Sequence, residues 1–225
     1  MELLISKEIE YIRKMAIRMA TLVEESVTDS INSFIYYNKD LAELSINRDQ
    51  EINEMETELD KELFECFALK APVASDLRYL YAVQKINKDL ERIGDHAVNI
   101  AQSTLNCYRY GKSMSGADIS LMASITNTMF IDCINAFAEY DTDTAYSVLK
   151  NEDKVDELNR FMWKEVINII KKDVSNVELA IELLRVSKNL ERIADLSTNI
   201  AEDVIFLTKA KDIKHSKKES TVADK

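Results

Sequence analysis

The strongest constraint on this 225-residue chain is that it repeats itself. Residues 90–102 read LERIGDHAVNIAQ and residues 190–202 read LERIADLSTNIAE, the same at eight of 13 positions. At an offset of 103, Asp29, Ile31, Asn32, Phe34, Asp40 and Ala42 fall on Asp132, Ile134, Asn135, Phe137, Asp143 and Ala145. Asp49, Ile52 and Asn53 then fall on Glu152, Val155 and Asp156. A fixed offset sustained this far means one supersecondary unit present twice. Apolar residues recur at three- and four-residue spacing almost throughout, so the unit is helical. Only three Gly and one Pro occur, where an average chain of this length would hold roughly 16 and about 11. Collagen-like, Pro-rich and turn-dense β architectures are excluded.

The breaks divide each copy into three helices. Asn38-Lys39-Asp40 and Asp141-Thr142-Asp143 are equivalent interruptions, and Val174-Ser175-Asn176 closes a further helix. Ala71-Pro72 with Ser75-Asp76 reads as a helix start, Pro in the first turn and Ser or Asp as cap. Asn47-Arg48-Asp49 is either a softer break or a polar stretch of the second helix. The expected architecture is all-α: a tandem duplication of a three-helix bundle, with units at 1–110 and 117–210. Residues 110–116 form the linker and 211–225 a polar tail.

Charge and cysteine usage narrow the function. The chain carries 29 Lys or Arg against 40 Asp or Glu, a net charge of −11. That balance speaks against nucleic acid, which needs a basic stripe, and suits a cation-binding surface. Cys66, Cys107 and Cys133 are widely spaced with no C-x-x-C, so neither a disulfide framework nor a thiolate zinc site is expected. Buried free thiols in a reducing compartment are expected instead. The longest uncharged stretch, Ile119–Ile131, has 13 residues, short of the about 20 apolar residues that a membrane span needs. The N-terminus MELLISKEIEYIRK is too charged for a signal-peptide core. A cytoplasmic location without membrane insertion follows as the expectation.

On the third helix of each unit, Leu90, Ile93, Gly94, Ala97, Ile100 and Ala101 share one side at 100° per residue. Glu91, Asp95, Asn99 and Gln102 line the opposite side, and Glu191, Asp195, Asn199 and Glu202 repeat that stripe. Spacing of four stacks oxygen-bearing side chains on successive turns, where neighbouring carboxylates can share one ion. A single acidic stripe is also what a solvated face looks like, but this one is held at equal positions in both copies. Glu25 and Asp29 repeat the E-x-x-x-D spacing on the first helix; the second copy keeps Asp132 but has Thr128 in place of the Glu. Asp49 and Asn53 on the second helix match Glu152 and Asp156, and of these Asp49 and Glu152 read as solvated charge rather than as ligands. Carboxylates and amides without thiolates favour hard cations, iron or manganese. His96, the single histidine within the two units, is either a helix-side polar residue, a ligand or a partner of Asp95. Glu-x-x-His pairs of the di-iron type are missing from the units. So are a Gly-rich phosphate loop, a G-x-S-x-G elbow and a usable catalytic triad. No catalytic residues are assigned.

The string APVASDLRYLYAVQKINKDLERIGDHAVNIAQ and its echo LLRVSKNLERIADLSTNIAEDVIFL closely resemble the PhoU family, as do LVEESVTDSI on the first helix and EDKVDELN on the fifth. The resemblance implies a phosphate-transport accessory and signalling protein. By that resemblance it is a negative regulator coupling a phosphate ABC transporter ATPase to a sensor histidine kinase, and commonly a homodimer. It also implies multinuclear metal clusters of iron, zinc, manganese or magnesium on E/D-x-x-x-D motifs. Those motifs map onto Glu91 and Asp95, onto Glu191 and Asp195, and less directly onto Glu25 and Asp29. Two departures are visible: Leu196 stands where the first copy has His96, and Thr128 where it has Glu25. PhoU-like modules also regulate sodium/phosphate cotransporters. A metal-free helical adaptor and a metal-dependent enzyme are the other classes that such a chain can belong to.

Overall fold

The computed structural model describes residues 2–111, 119–211 and 213, with residues 2–4 by backbone alone. Six long helices account for nearly all of them: α1 (Glu2–Ile35), α2 (Lys39–Lys70), α3 (Ala74–Tyr110), α4 (Ser120–Glu139), α5 (Thr142–Lys172) and α6 (Val177–Lys209). Helices α1–α3 pack together, as do α4–α6, and no strand occurs among the described residues. The tandem three-helix architecture expected from the repeat is what the chain adopts. Of the linker only Tyr110 and Gly111 are described, and of the tail only Lys211 and Ile213. Ile213 packs against the core rather than leaving it; His215 lies outside the described residues.

The equivalent breaks are equivalent caps. The Asn38 side chain accepts from the Asp40 and Leu41 amides at 3.0 and 3.2 Å, and Asp141 accepts from Asp143 and Thr144 at 2.9 and 3.3 Å. Each supplies an acceptor to amide groups that the first turn leaves without a partner. The start of α3 differs from expectation. Its N-cap is Val73, with no side-chain cap, and Ser75 and Asp76 lie inside the first turn. The Val73 carbonyl takes the Asp76 amide at 3.0 Å instead. Asn47-Arg48-Asp49 does not break α2, whose face of Ala42, Ser45 and Ile52 stays buried across it. Between α5 and α6, residues Val174–Asn176 form one 3₁₀ turn, capped by the Asp173 side chain on Ser175.

The core face read from the repeat is buried in both copies: Leu90, Ile93 and Ile100 on α3, and Leu190, Ile193 and Ile200 on α6, are fully enclosed. Gly94, equivalent to Ala194, lets α2 come close, since a Cβ there would meet Ile52 at 3.3 Å. Helix α4 is the one described helix long and apolar enough to cross a membrane by composition. Half of that stretch is buried inside the protein, with Phe130, Cys133 and Phe137 in the core.

The bundles meet where α3 and α6 run antiparallel. Arg78 Nε donates to the Leu207 carbonyl at 3.1 Å at one end of this seam, and Asn106 Nδ2 donates to Glu182 Oε1 at 2.9 Å at the other. Lys85 pairs with buried Asp203, and Arg185 Nη2 donates to Asn99 Oδ1 at 3.4 Å. A shorter contact joins α1 to α4, where Thr28 approaches Asn127 and Arg13 lies over the Tyr140 ring.

All three cysteines are free and buried. Burial pushes the Cys107 thiol up to about 11 and raises Cys66 and Cys133 as well. The reactive thiolate is therefore scarce at neutral pH. Native protein is expected to leave an aromatic disulfide reagent unreacted, and to release three equivalents of chromophore only after unfolding. Fast reaction of a thiol in the native state would contradict this burial.

Candidate metal centre

The Glu and Asp of each LERIxD motif do not stand alone: carboxylates on the second helix of the same bundle lie close enough to perturb their ionisation. In the first bundle, α3 supplies Glu91 and Asp95, and α2 supplies Asp49. Burial raises the Glu91 and Asp49 pKa values, and the charge of Asp95 raises both further. Two neighbours oppose this. Lys88 lies beside Glu91, and Asn53 Nδ2 donates to Asp49 Oδ2 at 3.1 Å. In the second bundle, α6 supplies Glu191 and Asp195 while α5 supplies Glu152 and Asp156. Burial raises Asp156, with Glu191 and Glu152 adding to it. Asp195 is pushed up to about 6, first by burial and then by Glu191, against the pull of Arg192. Like charges held together at a half-buried surface disfavour ionisation, and a cation among them would relieve that cost.

Basic side chains compensate the clusters in part. Lys188 pairs with Glu191, and Arg192 Nη1 sits 3.2 Å from Asp195 Oδ2. In the first copy the equivalent Arg92 reaches Asp89 at 3.7 Å instead, which leaves Asp95 exposed without it. The two LERIxD motifs thus share a sequence but hold their arginines differently.

Other predicted ligands are placed elsewhere. Arg48 of α2 grips the α1 acids, with Nη1 2.9 Å from Asp29 Oδ2 and Nη2 3.5 Å from Glu25 Oε2. Its second-copy equivalent is Asn151, so this clamp has no counterpart. Asn99 turns to the seam and Arg185. Asn199 and Asp132 are half-buried on α6 and α4. His96 feels the charge of Asp95 but makes its hydrogen bond elsewhere. Its Nδ1 meets Asn189 Oδ1 at 2.9 Å, while Asn189 Nδ2 is committed to the Arg185 carbonyl. The Asn189 oxygen is then an acceptor, so Nδ1 carries the proton. Burial lowers the His96 pKa, which keeps the ring neutral at pH 7.

One contributor escaped the sequence reading. Glu56 of α2 pairs with Lys88 and adds its charge to Glu91. The repeat gives no sign of it, because its equivalent is Asn159. Among the described residues, no three His, Cys, Asp or Glu side chains converge at ligand distance. The donor chemistry nevertheless fits a hard or borderline cation, being carboxylate and amide oxygen from two helices with no thiolate or imidazole.

Comparison with known proteins bears on most of the chain. A model of the PhoU domain matches twice, over residues 16–104 and 119–204. The chain belongs to the PhoU family. Each PhoU match contains one LERIxD motif, and the two together take in all ten predicted ligands. A phosphate-specific transport system accessory protein PhoU homolog from Clostridium acetobutylicum is 33% identical over 209 residues, covering 92% of this chain and 94% of that protein. The Pseudomonas aeruginosa homolog is 32% identical, covering 92% and 86%. The crystal structure of PhoU from Pseudomonas aeruginosa superposes with a TM-score of 0.88 at 32% identity, covering 92% of this chain and 99% of that one. The phosphate transport system regulatory protein PhoU from Streptococcus pneumoniae gives 0.83 at 25% identity, covering 92% and 98%.

Proposed function

We propose that this chain is an accessory regulator of phosphate-specific transport, working without catalysis from the cytoplasmic side. The names of its PhoU relatives carry the phosphate part of that reading. The regulation is negative: when phosphate is plentiful, the protein restrains the starvation response by linking the transporter ATPase to a sensor histidine kinase.

The same proposal gives the two carboxylate clusters a metal. The observation that carries it is the pairing itself, Asp49, Glu91 and Asp95 repeated as Glu152, Glu191 and Asp195, with Asp156 added in place of Asn53 and Asp195 pushed up to about 6. A bound cation would neutralise these groups and tie each second helix to its third. Iron, manganese, zinc and magnesium all suit oxygen donors to different degrees. Glu25 and Asp29 join only if Arg48 lets go of them.

The test is metal content by mass spectrometry on untagged protein, comparing wild type with the Asp95→Ala/Asp195→Ala variant. Several equivalents in wild type and a sharp loss in the variant are expected. A wild type that takes up none of the four metals on reconstitution would overturn the cluster and leave a metal-free helical adaptor. The phosphate reading has its own readout. A cell lacking this chain is expected to express starvation-response genes in high phosphate, and normal repression there would contradict it.

A further inference from the structure

The α5–α6 turn forms a free end that the first copy does not match. Helix α1 has 34 residues but α4 only 20. Under the 103-residue offset Ser120 corresponds to Ile17, so the α1 turns before it have no counterpart in α4. In the first copy those turns lie along the end of α2, where Glu8 meets Lys70 and Ile12 is buried. At the α5–α6 end the apolar side chains of Phe161, Trp163, Ile167, Val174, Val177 and Ile181 are between 36% and 72% exposed. The offset places Glu58 and Asp60 where Phe161 and Trp163 stand, so two acids of one copy are two aromatics of the other. Clustered exposed side chains of this size mark an interaction surface rather than scattered surface residues.

The charges at this end are sorted by face. Ile170, Trp163, Ile167, Arg160, Lys171 and Lys164 follow one another within about 120° of the α5 circumference. Trp163 and Ile167 share their stripe with Glu152 and Asp156, and Val177 and Ile181 share theirs with Glu191 and Asp195, each within about 80°. Those carboxylates disfavour one another's ionisation, so the two apolar stripes lie on one side of the hairpin. Residues 160–178 carry Arg160, Lys164, Lys171 and Lys172 against Glu165, Asp173 and Glu178, one positive charge in excess in a chain of net charge −11. The three acids are placed off the face. Glu165 lies about 100° beyond Lys164 and accepts from Asn168 at 3.3 Å. Asp173 is taken up in the turn, accepting from the Ser175 amide and hydroxyl at 2.9 and 2.8 Å. Glu178 lies one turn before Glu182, which faces α3 through Asn106. From Arg160 to the turn, the α5 stripe is therefore apolar and basic without an acid.

A partner helix laid along this face would cover Trp163, Ile167 and Ile181 but leave Val174, the most exposed of the set, bare at the turn. A bilayer surface covers both. We propose that the occupant is the surface of a lipid bilayer bearing anionic headgroups, entered by the α5–α6 turn. Tryptophan suits the headgroup level. Lysine stems lie along apolar surface while their ammonium groups stay among the lipid phosphates. Trp163 and Val174 are 11 residues apart, about 16 Å at 1.5 Å per residue. A hairpin inclined by about 30° to the membrane places them about 8 Å apart in depth, within the about 5–10 Å that interfacial helices reach. Asp156 and the other carboxylates then stand further out, in water. The protein lies on the membrane and does not span it. The docking needs neither metal in the clusters nor a response to phosphate.

Trp163 is the one tryptophan, so its emission reports the contact directly. The full chain is expected to sediment with mixed phosphatidylglycerol and phosphatidylcholine vesicles, its emission shifting to the blue and quenched by lipids brominated on the acyl chain. Binding to phosphatidylcholine alone, or in about 0.5 M salt, is expected to be at least about tenfold weaker. Two variants at exposed positions, checked for helicity by circular dichroism, separate charge from apolar contact. Lys164→Glu/Lys171→Glu/Lys172→Glu and Ile167→Ser/Val174→Ser are each expected to weaken binding at least about tenfold. The second keeps every charge and the tryptophan. Phe64→Ser/Leu77→Ser, at the other extremity, is expected to bind like wild type. A wild type that ignores the anionic vesicles overturns the proposal, as does binding that both α5–α6 variants leave unchanged or that Phe64→Ser/Leu77→Ser abolishes equally. A blue shift that grows with protein concentration alone, while vesicles leave the emission unchanged, would overturn it in favour of a protein contact.

Discussion

Replacing Lys85 with methionine is expected to lower the unfolding free energy by roughly 3 kcal/mol, measured by urea denaturation. Asp203 lies inside the α3–α6 seam with its side chain 1% exposed, and Lys85 is its ion-pair partner from the opposite bundle. The substitution keeps most of the aliphatic stem but leaves the buried carboxylate without that cation. Losing one partner of such a pair costs more than the pair itself is worth, because the remaining charge stays desolvated. Lys85 is 30% exposed, so water screens part of the interaction and the cost falls at the low end of the usual range. The double variant Lys85→Met/Asp203→Leu is expected to recover most of the loss. A single-variant cost well under about 1 kcal/mol would mean that this ion pair contributes little to docking the bundles.

Asp195→Asn is expected to act with opposite sign in metal-free and metal-loaded protein. Its carboxyl is pushed up to about 6 in the folded state, against 3.8 for the ordinary group. The folded chain therefore binds the proton more tightly than the unfolded chain. Stability is greatest below about pH 4, falls as pH rises towards 6, and is level above that. The side chain is 35% exposed, so the cost of the ionised group at pH 7 is about 1 kcal/mol after allowing for solvent screening. Removing the charge should thus stabilise metal-free protein by about that amount at pH 7 and leave it unchanged at pH 4. With metal at about 100 times its dissociation constant, wild type gains about 2.7 kcal/mol, and the variant is expected to lose most of that gain. Thermal melts at both pH values, with and without metal, read all four states. Destabilisation of the metal-free variant at pH 7 would contradict the electrostatic account.

The features visible in the sequence are those that depend on neighbours along one helix. The breaks at Asn38 and Asp141 were legible because a helix interruption is a local matter, although that both residues act as caps came only from the structure. Leu90, Ile93, Leu190 and Ile193 were legible as core because periodicity marks the face a helix buries. What periodicity does not reveal is which partner a polar side chain meets across a groove. Arg48 holding Asp29 and Glu25, His96 turning to Asn189, and Glu56 entering the first cluster each depend on how two helices are rotated against one another. A helix start near Pro72 and Ser75-Asp76 was read correctly, since α3 begins at Ala74, but its cap was not. Ser and Asp are good capping residues, yet the backbone carbonyl of Val73 takes the Asp76 amide in place of a side-chain cap.

The antiparallel seam also makes the molecule a lever. Its centre lies near Ile93 and Ile193, and from there α3 runs to Leu77 at one extremity, a reach of about 25 Å at 1.5 Å per residue. A change of about 10° in the crossing angle of α3 and α6 would swing each free end through about 4 Å. The seam carries side-chain bonds that can be exchanged one at a time beside its apolar packing, so a small local rearrangement there is magnified at the free ends.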